Sequence, residues 1–362
     1  MKFLLSIEHP SWAHQFKYII RELEKKGHIV KVVAINKDRD LELLDIFNIN
    51  YEIISNTSGK TIIDKGIIFI KTLIRIFQIS KRFKPDIYIG RASPMMAINS
   101  FLFRKEHIIF EDTEHSTFCL FIAKLCTDVI ITPDCFKNDL GKKQLRFDAY
   151  KEMFYLHPDY FTPDPMVLSE LNLSPGDKFF ILRFVAWDAH HDIGQSGLSV
   201  DAKRKAVEEF SKYGRVIISS ESPLPCEFEK YRITISPEKI HDLLFFATLY
   251  LGEGGTMATE SAILGTPSIY VSSLAGTMGN FIELEQRYGL MLSYRDQDKA
   301  IEKAIELIRK SDIKNEWKKK QEILMTDKID PNEFMIRFIE NYPESFHAIK
   351  NMKNMKRNKK DV

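Results

Sequence analysis

A chain of 362 residues, 44% hydrophobic and 28% charged, is too long for one compact core and about right for two globular domains. Its 52 basic and 50 acidic residues leave a formal charge of +2, which excludes polyanion binding through the surface as a whole, so no nucleic-acid partner is expected. The four cysteines show no metal-ligand spacing and read as reduced thiols, in keeping with a cytoplasmic protein.

The opening run Phe3-Leu4-Leu5-Ser6-Ile7 meets Glu8 too soon for a signal peptide and reads as a buried strand. Apolar Phe16, Ile19, Ile20 and Leu23 recur at helical spacing, so 12–26 is expected as a helix closed by Gly27. Strands are expected at 29–34, 51–54, 86–89, 107–110 and 128–131, separated by helices at 41–47, 64–83, 92–103 and 118–126. This alternation argues for an open parallel sheet covered on both faces, forming a first domain over 1–150. The helix at 64–83 has too many apolar residues for one narrow stripe. It reads as a core helix with a basic edge, with peripheral docking on anionic lipid as the alternative. Pro158, Pro163, Pro165 and Pro175 break the alternation, so 151–178 is expected as a linker. The pattern restarts over 179–330, with strands at 179–184, 216–219, 231–235, 249–252 and 268–271, and helices at 201–213, 239–247, 256–264 and 298–310. A helix within 331–349 is expected to return to the first domain, and 350–362 to be a basic, disordered tail. The expected fold class is α/β, with two doubly wound, Rossmann-like domains facing a cleft.

One segment carries most of the chemistry. Leu249-Tyr250-Leu251-Gly252-Glu253-Gly254-Gly255-Thr256-Met257-Ala258-Thr259-Glu260 leaves a buried strand, turns on glycines and enters a helix. Such a helix start offers unpaired N–H groups and partial positive charge, which suits a phosphate bound at Gly254, Gly255 and Thr256. Glu260, one turn deeper on the same face, would accept hydrogen bonds from a ribose diol. A dinucleotide fingerprint would need glycine at Met257. A phosphate loop ending Gly59-Lys60-Thr61 would need glycine at Ile54. Neither is present. Tight packing without a ligand is the competing reading of the glycines.

Gly254, Glu260, Gly265 and Pro267, in this order ahead of a strand, resemble the donor-binding motif of glycosyltransferase-B enzymes. The likeness is to the enzyme that adds N-acetylglucosamine to the lipid-linked peptidoglycan precursor, and to the non-hydrolysing UDP-N-acetylglucosamine 2-epimerases. In the former, the glutamate matching Glu260 binds the ribose of UDP. A longer resemblance joins five segments. They are Trp12-Ala13-His14-Gln15-Phe16-Lys17, Asp112-Thr113-Glu114-His115, Tyr155-Leu156-His157-Pro158, the stretch Arg183-Phe184-Val185-Ala186-Trp187-Asp188-Ala189-His190-His191-Asp192, and Gly255–Glu260. Together they resemble the DUF354 family, archaeal and bacterial proteins for which a glycosyltransferase-B fold is expected.

The resemblance implies roles for further residues. His14, near the start of the first helix, is the candidate general base for an acceptor hydroxyl, with His9 as runner-up and packing as the bland reading. Asp112, Glu114 and His115 follow a strand and match a segment that carries catalytic carboxylates in the epimerases; helix capping is the alternative. Arg183 would neutralise a diphosphate leaving group. Asp188, His190, Ser220, Glu221 and His241 are expected to line the same substrate site. The crowding of Asp188, His190, His191 and Asp192 is poor metal geometry, so no metal and no cofactor is expected, the UDP-sugar being substrate. The expected activity is transfer of a sugar from a nucleotide diphosphate to an unidentified acceptor, a lipid-linked one included, by a cytoplasmic protein that would touch the inner face of the membrane at most peripherally. A UDP-sugar 2-epimerase and a non-catalytic nucleotide-sugar-binding protein are the alternatives.

Overall fold

The computed structural model describes residues 1–36, 39–56, 61–185, 197–220 and 223–358, without the side chains of 62 and 353–358. By internal contacts the chain divides into two compact units, Met1–Tyr155 with Ile329–Val362, and Leu156–Lys328.

The first unit holds seven parallel strands, β1 (Lys2–Ile7), β2 (Ile29–Ile35), β3 (Tyr51–Ser55), β4 (Ile87–Gly90), β5 (Glu106–Phe110), β6 (Val129–Pro133) and β7 (Gln144–Phe147), in the order β3-β2-β1-β4-β5-β6-β7. Every residue of β4 and β6 is buried, as a parallel sheet covered on both faces requires. From β1 the chain steps outward through helices Pro10–Lys25 and Asp40–Ile46. Helix Ile62–Phe83 then carries it back to β4, which pairs with β1, and helices Pro94–Phe103 and Thr117–Cys126 lead on to β5 and β6. Right-handed crossovers place these last three helices side by side on one face, where they contact each other in order. The reversal creates a topological switch point at the carboxyl ends of β1 and β4.

The long helix starts at Ile62, earlier than expected, because Thr61 and Asp64 form a reciprocal capping box. It ends at Lys84, which takes a left-handed φ of 54° before Pro85. Helix Pro331–Glu340 packs on helix Pro10–Lys25. Asn332 Nδ2 donates to the Phe154 carbonyl at 2.8 Å, and the Phe334 ring stacks on Phe147.

The second unit holds β8 (Phe179–Phe184), β9 (Arg215–Ser220), β10 (Leu249–Gly252), β11 (Ser268–Val271) and β12 (Met291–Tyr294), all parallel, in the order β12-β11-β10-β8-β9. Lys314, on helix Ile313–Asp327, is half-buried in this unit. Its ammonium donates to the carbonyls of Phe245 (2.7 Å) and Ala247 (2.9 Å) and to Thr266 Oγ1 (3.0 Å). Loss of water around the ammonium, with no carboxylate countering it among the described residues, pulls its pKa down to about 7.

Several elements differ from expectation. Residues 231–235 do not form a strand. The 3-10 turn Cys226–Tyr231 and Pro237 bracket them, and a single bridge joins Arg232 to Ile218. Strands β7 (Gln144–Phe147) and β12 (Met291–Tyr294) were not expected; each mixes polar with apolar residues, so no apolar run marks them as it marks the equally short β4 and β10. The stretch expected as a linker is partly packed. Met153, Phe154 and Tyr155 are fully buried in the first unit, and Val167, Leu168 and Leu171 are buried in the second. Helix Glu344–Asn358 occupies much of the stretch expected as a disordered tail. Among the described residues no helix is long and apolar enough to cross a membrane.

Candidate functional site

In the first unit the carboxyl ends of β1, β4 and β5 gather an unusual set of charges. β1 delivers Glu8, β4 delivers Arg91 and Ser93, and β5 delivers Glu111 and Asp112. Arg91 is 3% exposed, and its Nη2 donates to Glu111 Oε1 at 2.5 Å and to Asp112 Oδ1. Its guanidinium lies over the rings of Phe110 and Trp12. Burial works against the Arg91 charge, but Asp112 and Glu111 outweigh it and hold its pKa above the ordinary value. For Asp112, burial is likewise outweighed by Arg91 and by Lys151, whose Nζ stands 3.4 Å away, so its pKa falls to about 2. Glu111 accepts the backbone N–H groups of Asp112 and Thr113, both at 3.0 Å, and so ties the β5 loop to the β4 loop through Arg91.

Glu8 is different. Burial raises its pKa, and the Ser93 and Ser6 hydroxyls beside it offset that only in part. Its Oε1 is buried and makes no hydrogen bond among the described residues. A carboxyl that resists ionisation after β1 and a firmly ionised aspartate after β5, at the same edge of one sheet, divide into an acid and a base. Sequence reasoning passed over Glu8. The available signal was a lone acid at the carboxyl end of an otherwise apolar first strand.

The other expected residues of this unit are placed as follows. His14 is buried, edge-on to Phe47 (5.1 Å between ring centroids) and tilted against Tyr155 (5.3 Å). His9 caps the first helix, its Nδ1 accepting the Ser11 N–H. Glu114 is buried; its Oε1 accepts the Lys137 N–H at 3.2 Å, and its carbonyl accepts Asn138 Nδ2. His115 is half-buried in the turn before helix Thr117–Cys126.

In the second unit, β10 ends at Gly252 and helix Gly255–Ile263 begins after Gly254, with no side chain capping it. The first-turn N–H groups therefore have no side-chain partner of the usual N-cap kind. Thr256, half-buried, does not fill that place. The glycines answer first to close packing. A Cβ at Gly252 would stand 2.6 Å from Arg183 Cβ, one at Gly254 3.1 Å from Arg183 Cγ, and one at Gly255 2.8 Å from Phe281 Cζ. The missing β-carbons of Gly252 and Gly254 let Arg183 lie along the turn, where its Nη1 donates to Ser219 Oγ at 2.7 Å, and that of Gly255 makes room for Phe281. Glu260 is 4% exposed, and its Oε1 lies 3.0 Å from Nε2 of buried His241. Thus Arg183, Gly254, Gly255 and Thr256 meet at the turn, and His241 meets Glu260 within the helix layer. Ser220 is half-buried at the end of β9. Asp188, His190 and Glu221 lie outside the described residues, as do His191 and Asp192. Among the described residues no three His, Cys, Asp or Glu side chains converge as metal ligands.

Glu253, quoted within the motif but given no role there, ties this edge together. Its Oε2 accepts the Val185 N–H at 2.9 Å and its Oε1 the Leu198 N–H at 2.6 Å, while Lys203 Nζ stands 3.3 Å away. It ties the backbone after β8 to the backbone at Leu198.

Known proteins share this architecture. The UDP-GlcNAc 2-epimerase of Neisseria meningitidis, solved with UDP-GlcNAc, superposes with a TM-score of 0.68 at 13% identity, covering 94% of this chain and 99% of that one. The spinosyn forosaminyltransferase SpnP gives a TM-score of 0.64 at 12% identity, covering 94% and 98%. These likenesses establish the glycosyltransferase-B fold. In sequence, the uncharacterized protein MJ0665 of Methanocaldococcus jannaschii is 23% identical over 292 residues, 75% of this chain and 83% of that protein. Residues 1–344 match the family described as protein of unknown function (DUF354), and the chain belongs to that family.

Proposed function

We propose that the protein is a sugar-nucleotide enzyme that transfers a sugar from a UDP-sugar to an acceptor hydroxyl. The observation that carries this reading is the uncapped helix start at Gly254–Gly255 with Arg183 laid beside it and Glu260 oriented by His241 one turn deeper. The N–H groups and Arg183 would take the diphosphate, and Glu260 the ribose hydroxyls. In the transfer, the acceptor oxygen bonds to the anomeric carbon as the bond to the diphosphate oxygen breaks. The charge left on UDP falls on the helix start and Arg183. The acceptor proton needs a base. Glu8 is the candidate whose pKa is moved toward the working range, whereas Asp112 at about 2 is a weak base suited to orientation. His14 remains a second candidate, and Glu114 and His115 would shape the acceptor side. That solved proteins of the same fold include a UDP-GlcNAc complex and glycosyltransferases supports the reading.

Calorimetry with UDP tests the donor assignment. Native protein should bind and Glu260→Gln should bind more weakly by about 1–3 kcal/mol, the worth of hydrogen bonds to a charged group. No binding of UDP or its sugar conjugates by native protein overturns it. A second reading, 2-epimerisation, is favoured by the first-unit carboxylates, since proton removal and return at one carbon needs an acid–base pair and no acceptor. Incubation with UDP-N-acetylglucosamine alone separates the two: a new epimer supports the second reading and counts against transfer.

A further inference from the structure

The three helices on one face of the first sheet are apolar on the side that should be polar. Helix Ile62–Phe83 buries Thr72, Ile76, Ile79 and Ser80 against the sheet and its neighbours. Yet Ile63, Ile67, Ile70, Ile74 and Phe77, spaced four and three residues apart, form a second stripe that is 41–75% exposed. A helix with apolar stripes on two sides is normally covered on both. Helix Pro94–Phe103 adds exposed Phe101 and Leu102, and helix Thr117–Cys126 adds Phe118, Phe121 and Leu125, each more than half exposed. The helices touch in sequence, and the Phe77 and Phe103 rings meet at 4.9 Å, so the stripes belong to one surface. Ten large side chains of roughly 200 Å² each, about half exposed, give on the order of 1,000 Å², well above the largest patch of a typical monomer.

The charges on these helices say what would cover it. They carry Lys65, Lys71, Arg75, Lys81, Arg82 and Lys124 against one acid, Asp64. Glu52 on β3 takes Arg75 and Arg82. Two copies meeting through this face would bring like charges together, whereas an anionic bilayer surface accepts both the apolar stripe and the lysines. We propose that this face docks the protein on anionic lipid, with the helices lying against the bilayer. Helices Pro94–Phe103 and Thr117–Cys126 both begin at the carboxyl edge that holds Arg91, Glu111 and Asp112. Docking would set that edge beside the lipid, and on the proposed transfer reading the acceptor would be lipid-linked.

The test is co-flotation of the full chain with vesicles of phosphatidylglycerol and phosphatidylcholine, without nucleotide, so that it is independent of the donor assignment. Binding is expected to the mixed vesicles, to fall at least tenfold on pure phosphatidylcholine, and to weaken with salt. Ile70→Glu with Phe121→Glu should lose it at least tenfold while retaining native circular dichroism. Should that variant misfold, Lys71→Gln with Lys124→Gln, both at exposed positions, should lower binding several-fold. Absence of binding by native protein, or equal binding by a folded variant, overturns the proposal. So does a stable dimer in solution that Phe121→Glu dissociates.

Discussion

At Glu8 a single side chain separates stability from chemistry. Its pKa is raised in the folded protein, so the native state holds a proton that the unfolded chain has released. Stability from this residue is therefore lost as pH climbs from the ordinary glutamate value through the raised one. Glu8→Gln, which removes that penalty, should keep or raise the melting temperature near neutrality while turnover drops by roughly 10²–10⁴-fold, the worth of a general base. A fall in melting temperature with unchanged turnover would make Glu8 structural. Lys314 has the opposite slope. Its pKa is lowered from 10.5 to about 7, so stability should rise as pH increases across that interval. Lys314→Met should flatten the rise in a pH series of melting temperatures. Neither group was legible in the sequence, because an isolated acid or lysine carries no sign of burial. Glu260 was, since its spacing from the glycines stands in the primary structure; its partner His241, 19 residues earlier, was placed only by resemblance.

At the level of elements, the loops after β4 and β5 are held by one buried charge cluster. Breaking it is costly, because removing one partner strands the other without water. Asp112→Asn should lose about 3–5 kcal/mol in urea unfolding at neutral pH. The native Asp112 contribution is present above the ordinary aspartate value of 3.8 and should fade as pH drops toward about 2. The glycine turn allows a steric counterpart. Gly255→Ala would drive a methyl against Phe281, so local repacking should lower stability by about 1–3 kcal/mol and weaken UDP binding with it. An alanine variant of native stability and affinity would show that Phe281 yields. Periodicity made most strands and helices readable, from the Phe16–Leu23 pattern to the glycine-ended helices. The edge strands β7 and β12 were not, since Gln144 and Arg146 in one and Ser293 in the other interrupt the apolar run that marks equally short strands such as β4 and β10. The alternating apolar pattern of 231–235 misled, because its neighbours Cys226–Tyr231 and Pro237 close in helical turns before a ladder can extend.

Across the whole molecule, alternation of strands and helices was enough to expect two parallel sheets, whereas the order of the strands needs long-range pairing that no local window contains. The apolar outer stripe of Ile62–Phe83 was visible as excess hydrophobicity, but the sequence does not say which side a sheet will cover. The return of Ile329–Val362 to the first unit bears on biosynthesis. Helix Pro331–Glu340 seats Phe334 on Phe147 and reaches the Phe154 carbonyl, partners made some 180 residues earlier. A ribosome therefore delivers the whole second unit before the first can be sealed. Until then the nascent first unit waits with an aromatic seam open, a natural stopping point for a chaperone. Nascent chains halted at Lys328 should be digested by protease within the first unit, and chains halted past the helix should resist.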